Sequence, residues 1–202
     1  MTNWIEHPVI LEGQYIKLVP LDRSHFADLV AIGKHPEIWM HLPFDGTESQ
    51  KLLTELQEAL LKRMEGSQYA FTIICKEEGN RIIGSTRLFD MHREHRKLEI
   101  GWTWNDPASW GKGYNIEAKL LLLTYCFEVL GTQRVQLKTR DSNLRSQSAI
   151  IKIGARFEGV MRKDRIAKDG AAHDSYLFSI IDDEWPEVKK LLTDIVSRGH
   201  HV

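Results

Sequence analysis

The segment that most restricts how this chain can fold is a glycine turn, Trp110-Gly111-Lys112-Gly113-Tyr114-Asn115, set between a strand pattern and a helix pattern. Ahead of it, Leu98, Ile100, Trp102 and Trp104 alternate with Glu99, Gly101 and Thr103, the period of a strand. Behind it, Ile116, Leu120, Leu123, Phe127 and Leu130 recur at helical spacing, and Gly131 is placed to end the helix. A strand feeding a glycine turn that opens a helix points several free N–H groups at one spot, with the positive end of the helix dipole behind them. Such a site suits phosphate. Gly111 and Gly113 let the backbone bend and approach a ligand with no Cβ in the way. Taken alone, the turn is explained equally well as a purely structural strand-to-helix connection. It lacks the spacing and the Lys-Ser/Thr ending of a P-loop, and the third glycine and parallel βαβ repeat of a dinucleotide turn.

The rest of the chain reads as one α/β domain, residues 1–202, with no repeats and no Pro/Gly-rich linkers. Residues 14–19 alternate as a first strand, and residues 24–32 carry Phe26, Leu29 and Val30 on one helical side, with Gly33 as the stop. Thr47 to Gln50 carries a capping-box pattern ahead of a helix with Leu52, Leu53, Leu56, Leu60 and Met64 on its apolar side. Tyr69 to Cys75 and Arg81 to Phe89 form a hairpin, a charged loop covers residues 90–96, and a strand runs from Lys97 to Trp104. After the glycine-turn helix come a strand over 133–139, a short helix capped by Asp141, Ser142 or Asn143, a second hairpin turning at Asp169-Gly170, and a final helix over 184–197.

The net charge of -1 argues against an electrostatic nucleic-acid partner. The longest apolar run, residues 120–123, is far too short to span a bilayer, and the N-terminus has no signal-peptide pattern, so a cytoplasmic protein is expected. Cys75 and Cys126, far apart in apolar surroundings, read as core residues in a reducing compartment. His92-Arg93-Glu94-His95 lacks metal-site spacing and reads as a solvated loop; no metal is expected.

Four motifs in order extend the glycine turn. Leu11-Glu12-Gly13 and Leu18-Val19-Pro20-Leu21 come first, then Ile82-Ile83-Gly84-Ser85. Glu99-Ile100-Gly101-Trp102 leads into the turn itself, and Asn143-Leu144-Arg145-Ser146 precedes Lys152-Ile153-Gly154-Ala155-Arg156-Phe157-Glu158-Gly159. Over nearly the whole chain this resembles the GNAT superfamily of acyl-CoA N-acyltransferases, and most closely the branch with the ribosomal-protein N-terminal acetyltransferases RimJ and RimL. The resemblance implies a mixed, mostly antiparallel twisted sheet flanked by helices. It implies acyl transfer from acetyl-CoA to an amine, either a small molecule or a protein N-terminus, by direct attack. It also admits a homodimer.

By resemblance, the cofactor-binding set is Trp102, Thr103 and Trp104 along the strand, Trp110, Gly111, Lys112, Gly113, Tyr114 and Asn115 in the turn, and Asn143 and Ser146 in the late motif. For the two indoles of the strand a core role is the preferred alternative. The family pattern has Gln or Arg at the position of Trp110 and Gly or Ala at that of Asn115. Attack by an amine needs a proton acceptor and a donor for the departing sulfur. Glu99 is the candidate base; the alternative is a strand-face carboxylate paired with an arginine. Ser146 is the candidate donor, because the tyrosine several relatives place four residues later is Ile150 here; the alternative is a helix-turn serine bonding its own backbone. His35, His41 and His173, and the segment Trp39 to Phe44, are candidates to line the acceptor cleft. Arg162, Lys163 and Arg165 are either a solvated strand face or a seat for an acidic acceptor or the adenosine 3′-phosphate. Two rival readings are a CoA-binding module without catalysis and a nucleotide-binding protein using the same turn.

Overall fold

The chain begins with a tight antiparallel pair, β1 (Leu11–Glu12) and β2 (Ile16–Pro20), and β2 then pairs with β3 (Tyr69–Cys75). β3 pairs in turn with β4 (Arg81–His92), and β4 with β5 (Lys97–Asn105). β6 (Arg134–Arg140), β7 (Arg156–Ile166) and β8 (Ala172–Ile181) complete an eight-stranded sheet of order β1-β2-β3-β4-β5-β6-β8-β7. Among the described residues, β5 and β6 are the one parallel pair. The computed structural model describes residues 3–42, 44–166 and 170–199; Pro43, Ala167 and the Asp169 position of the predicted turn lie outside them.

The helices divide between the two faces. α3 (Tyr114–Thr124), continued by a π-turn over Tyr125–Val129, shares one core with α4 (Leu144–Lys152) and α5 (Trp185–Ser197). Ile16, Leu18, Phe71, Ile73, Leu98 and Ile100 are the sheet's contribution to that core. α1 (Phe26–Gly33) and α2 (Ser49–Met64) cover the other face, over Ala70, Ile74, Ile82 and Trp104. Because both faces are covered, every residue of β3 is buried, and its alternation in sequence marks which core each side chain joins. Each fully buried large apolar side chain contributes about 1.5–3 kcal/mol, so the two cores hold the central strands rigidly.

Several local readings change. Residues 14 and 15 precede the strand, which starts at Ile16. Thr47 does not cap α2: its N–H and hydroxyl both donate to Asp45 Oδ1, at 3.0 and 2.7 Å, and the helix starts one residue later than the capping box requires, with Glu48 as N-cap. An Asx turn has taken the hydroxyl that the cap needed. Gly33 sits inside α1 and Lys34 caps it. Residues 90–92 extend β4, so the predicted charged loop shrinks to the turn 93–96. Met64 is exposed, whereas Leu52, Leu56 and Ala59 carry the buried stripe of α2. Both cysteines are free and buried, and burial pushes the Cys126 thiol well above its usual range. No helix among the described residues is long and apolar enough to cross a membrane.

Candidate active site

β5 and β6 stay paired only at Lys97↔Arg134, Leu98↔Val135 and Glu99↔Gln136, and beyond Glu99 the two strands part. The cause lies on the other edge of β5. Trp102 has φ +49, a left-handed conformation unusual for an indole residue, and the register against β4 shifts between Ser85 and Arg87. A bulge of this kind bends and twists the strand that carries it. It also ends the predicted alternation: Leu98 and Ile100 enter the core of α3, whereas Trp102 leaves it and lies with its ring 4.8 Å from the Arg87 guanidinium. A cavity of about 700 Å³ fills the fork, a volume suited to a ligand far larger than a simple amine.

The glycine turn closes one end of this cavity. Gly111 and Gly113 both have positive φ, +77 and +74, and Gly113 is the N-cap of α3 with no side chain capping the helix. A Cβ on Gly111 would meet nothing within 4 Å, so its glycine is required by backbone conformation rather than space. The N–H groups of Gly111, Lys112 and Gly113 bond to no acceptor among the described residues. Free amides at an uncapped helix start form an anion seat. Asn115 adds a buried Oδ1 with no hydrogen-bond partner, an acceptor held ready for a donor on whatever occupies the cavity.

All of the predicted site residues line the cavity except Lys112, whose ammonium turns away to Glu78 Oε1 at 3.0 Å. Its amide, not its side chain, belongs to the set of free N–H groups in the turn. Thr103 lies half-buried along the parted edge of β5, whereas the Trp104 ring packs into the second core at 5.2 Å from Trp39. Tyr114 is buried, with its hydroxyl donating to Glu77 Oε2 at 3.2 Å. The Trp110 indole donates to the Asn105 carbonyl at 3.0 Å, and the Arg145 guanidinium stacks 3.9 Å over its ring. That stack joins the turn to α4. Asn143 is the N-cap of α4, its Oδ1 accepting from Ser146 N–H at 3.1 Å. The Ser146 hydroxyl has no bond to a described residue.

Glu99 faces the cavity from a nearly closed position, 2% exposed. Gln136 Nε2 donates to its Oε2 at 2.9 Å and Lys138 Nζ lies 3.0 Å from the same oxygen. Oε1 has no donor among the described residues. Burial raises the Glu99 pKa above the usual carboxylate range, against the opposing pull of Lys138, Gln136 and Arg165. The cation beside Glu99 is thus a lysine, not the arginine weighed as the structural alternative, and the pair leaves one oxygen open.

Of the remaining candidates, Met40, His41, Leu42, Arg165 and His173 reach the cavity, whereas Arg162 and Lys163 are exposed and do not. Trp39 is core and packs edge-on against Phe44 at 5.6 Å. His92 lies beside Asp90 at 3.1 Å on an exposed strand end. Among the described residues no group of three or more His, Cys, Asp or Glu is placed to hold a metal ion.

Lys119 is the residue that reading the sequence missed. It is buried on α3, lines the cavity and donates to Thr103 Oγ1 at 2.8 Å, and burial pulls its pKa down to about 7. The available signal was its spacing: it follows Asn115 by one helical turn, so the two polar side chains share a face.

The family model for the acetyltransferase (GNAT) domain matches residues 16–156. The chain therefore belongs to the GNAT acetyltransferase family. An uncharacterized N-acetyltransferase, YnaD of Bacillus subtilis, is 33% identical over 57% of this chain and 65% of its own length. Another, p20 of Bacillus licheniformis, is 29% identical over 87% of this chain and 99% of its own. Among solved structures, a GCN5-related N-acetyltransferase from Brucella melitensis superposes with a TM-score of 0.85 at 26% identity, over 92% of this chain and 84% of that one. RimL, the ribosomal L7/L12 alpha-N-protein acetyltransferase, shares the fold at a TM-score of 0.76 and 21% identity, over 86% of this chain and 94% of that one.

Proposed function

We propose that the protein transfers an acetyl group from acetyl-CoA to a primary amine by direct attack. The observation that carries this reading is the fork itself. An uncapped, amide-rich helix start closes one end of the cavity, and a half-satisfied carboxylate faces the same cavity where the strands separate. The amides of residues 111–113 suit the pyrophosphate, and the edge of β5 from Trp102 to Trp104 suits the extended arm. Acetyl-CoA supplies a thioester activated toward nucleophiles.

The chain's own task is proton management. An amine is mostly protonated near neutral pH, so the site must take a proton before attack. Glu99 Oε1 is the open acceptor, and its raised pKa brings it nearer the working pH, where a general base is most effective. Ser146, with an uncommitted hydroxyl on the first turn of α4, offers a hydrogen bond to the departing sulfur. Lys119 supplies a second donor from beneath β5. No cysteine faces the cavity, which favours direct attack over a covalent acyl-enzyme.

Thermal-shift comparison tests the cofactor. Acetyl-CoA should raise the melting temperature while ATP and NAD do not, and absence of that rise would overturn the reading. Gly113→Val should remove the effect, because a β-branched residue resists φ +74 and crowds the amides. Release of free CoA thiol with an amine panel separates an active transferase from a CoA-binding module.

A further inference from the structure

The sheet face that carries Glu99 holds an excess of positive charge. On β6, Val135, Leu137 and Thr139 point to the core side, so Lys138 and Arg140 point to the opposite face, which Glu99 shares through its contact with Lys138. The strand register continues this face outward, with Arg140 opposite Ser175 on β8 and Arg165 opposite His173 across β7 and β8. Lys138, Arg140, Arg165 and His173 all line the cavity. Lys138 is committed to Glu99, and Arg165 lies 3.5 Å from Asp164 Oδ2. Arg140 has no carboxylate within ion-pair reach among the described residues; its Nη2 contacts both ring nitrogens of His173, and its Nε is buried with no acceptor.

A guanidinium with a buried N–H unpaired and no carboxylate beside it is incomplete. A carboxylate or phosphate complements it, since guanidinium binds either through two parallel hydrogen bonds. The surrounding field has the same sign: the His41 pKa is lowered by burial and, next, by the charges of Arg140 and Arg145. Glu37, the acid on the opposite wall, lies 3.5 Å from His35. The glycine turn proposed for the CoA phosphates closes another end of the same cavity, at the start of α3, whose core lies on the other face of the sheet.

We infer that this face selects an acceptor whose amine is accompanied by an anionic group, a carboxylate or phosphate, which seats on Arg140. The inference rests on the acyl-transfer reading and narrows its acceptor class. The same charges disfavour polyamines and other polycationic amines, although Glu37, Glu99 and Asp174 also line the cavity. The cationic setting also favours the neutral, nucleophilic form of the amine, since like charges lower the pKa of an ammonium.

Matched amines test this. O-Phosphoethanolamine is compared with ethanolamine, and a peptide beginning with Asp with the same peptide beginning with Asn. Two readouts are taken for each: calorimetric binding to the CoA-bound protein, and release of CoA thiol with saturating acetyl-CoA. In at least one pair the anionic member should bind at least about ten-fold more tightly. Arg140→Gln should erase that preference and leave CoA affinity unchanged, and Arg140→Lys should retain part of it. Preference in the first pair alone assigns a small-molecule acceptor, and in the second alone a protein N-terminus. Equal or weaker binding of both anionic members, or no binding by any, overturns the inference. So does an Arg140→Gln variant that loses CoA affinity instead of amine selectivity. Selective binding without CoA release leaves the inference standing and removes the acyl-transfer reading.

Discussion

Two buried glutamates, on neighbouring parts of the same fold, are held in opposite ways. Glu117, in the first turn of α3, and Glu99, on β5, are each 2% exposed. The Glu117 carboxylate accepts the main-chain N–H groups of Gln14 at Oε1 and of Tyr15 and Ile16 at Oε2, the last two at 3.0 and 2.9 Å. Gly13 packs so closely that a Cβ there would lie 2.6 Å from the carboxyl carbon. Both Glu117 oxygens are occupied, and the residue ties the start of the sheet to the glycine-turn helix. Glu99 has both donors on one oxygen and a cavity beside the other. Burial alone therefore does not separate the two; what sets Glu99 apart is an open oxygen facing the cavity.

The largest expected effect falls on Glu99, the proposed base. Glu99→Gln should lower kcat by about 10²–10⁴-fold, with acetyl-CoA affinity nearly unchanged. The melting temperature should stay within a few degrees, since the amide oxygen still accepts from Lys138. A rate unaffected across pH would remove Glu99 as the base. Glu117→Ala should reverse the pattern. It strands three backbone donors at about 1–3 kcal/mol each, so a loss of about 3 kcal/mol or more in urea unfolding is expected. A loss under about 1 kcal/mol would show that the β1–β2 turn holds itself.

Lys119 sharpens the comparison with a buried charge of the other sign. Its folded pKa, about 7, lies below its unfolded value. Between those two values the unfolded chain holds the extra proton, so this group makes stability rise with pH, by at most about 1.4 kcal/mol per unit. Below pH 7 its cost is fully present. Lys119→Met should flatten that slope in melting curves taken between pH 7 and 9; identical slopes would mean the ammonium is not held in the neutral form. The smallest effect concerns Lys138. As the proposed base Glu99 must be ionised, so activity is expected to fall as pH drops through its raised pKa. Lys138→Met removes the nearest cation and should move that acid limb upward by about one unit. An unmoved limb would assign it to another group.

Much of this was legible in the chain. The turn that opens α3, the alternation of Val135 and Leu137, the αL glycine at Gly131 and the Asn143 cap all follow from local geometry. They were readable because each depends on residues a few positions apart. The Thr47 cap failed at the same range, since Asp45 competed for the same hydroxyl. Trp102 could not be read as a bulge, because nothing in an indole favours φ +49; the strands on either side impose it.

By itself, then, the order of apolar periods, glycines and caps determined the element sequence and placed free amides at the start of one helix. Those are consequences of backbone hydrogen bonding within a turn or two of chain. The tertiary structure alone decided that β5 and β6 part after Glu99, that Lys138 takes one oxygen of that carboxylate, that Glu117 is structural and that Lys119 lies beneath the cavity. Each of these is a meeting of residues distant in sequence. Which partner a buried charge finds depends on sheet order and register, not on its neighbours along the chain.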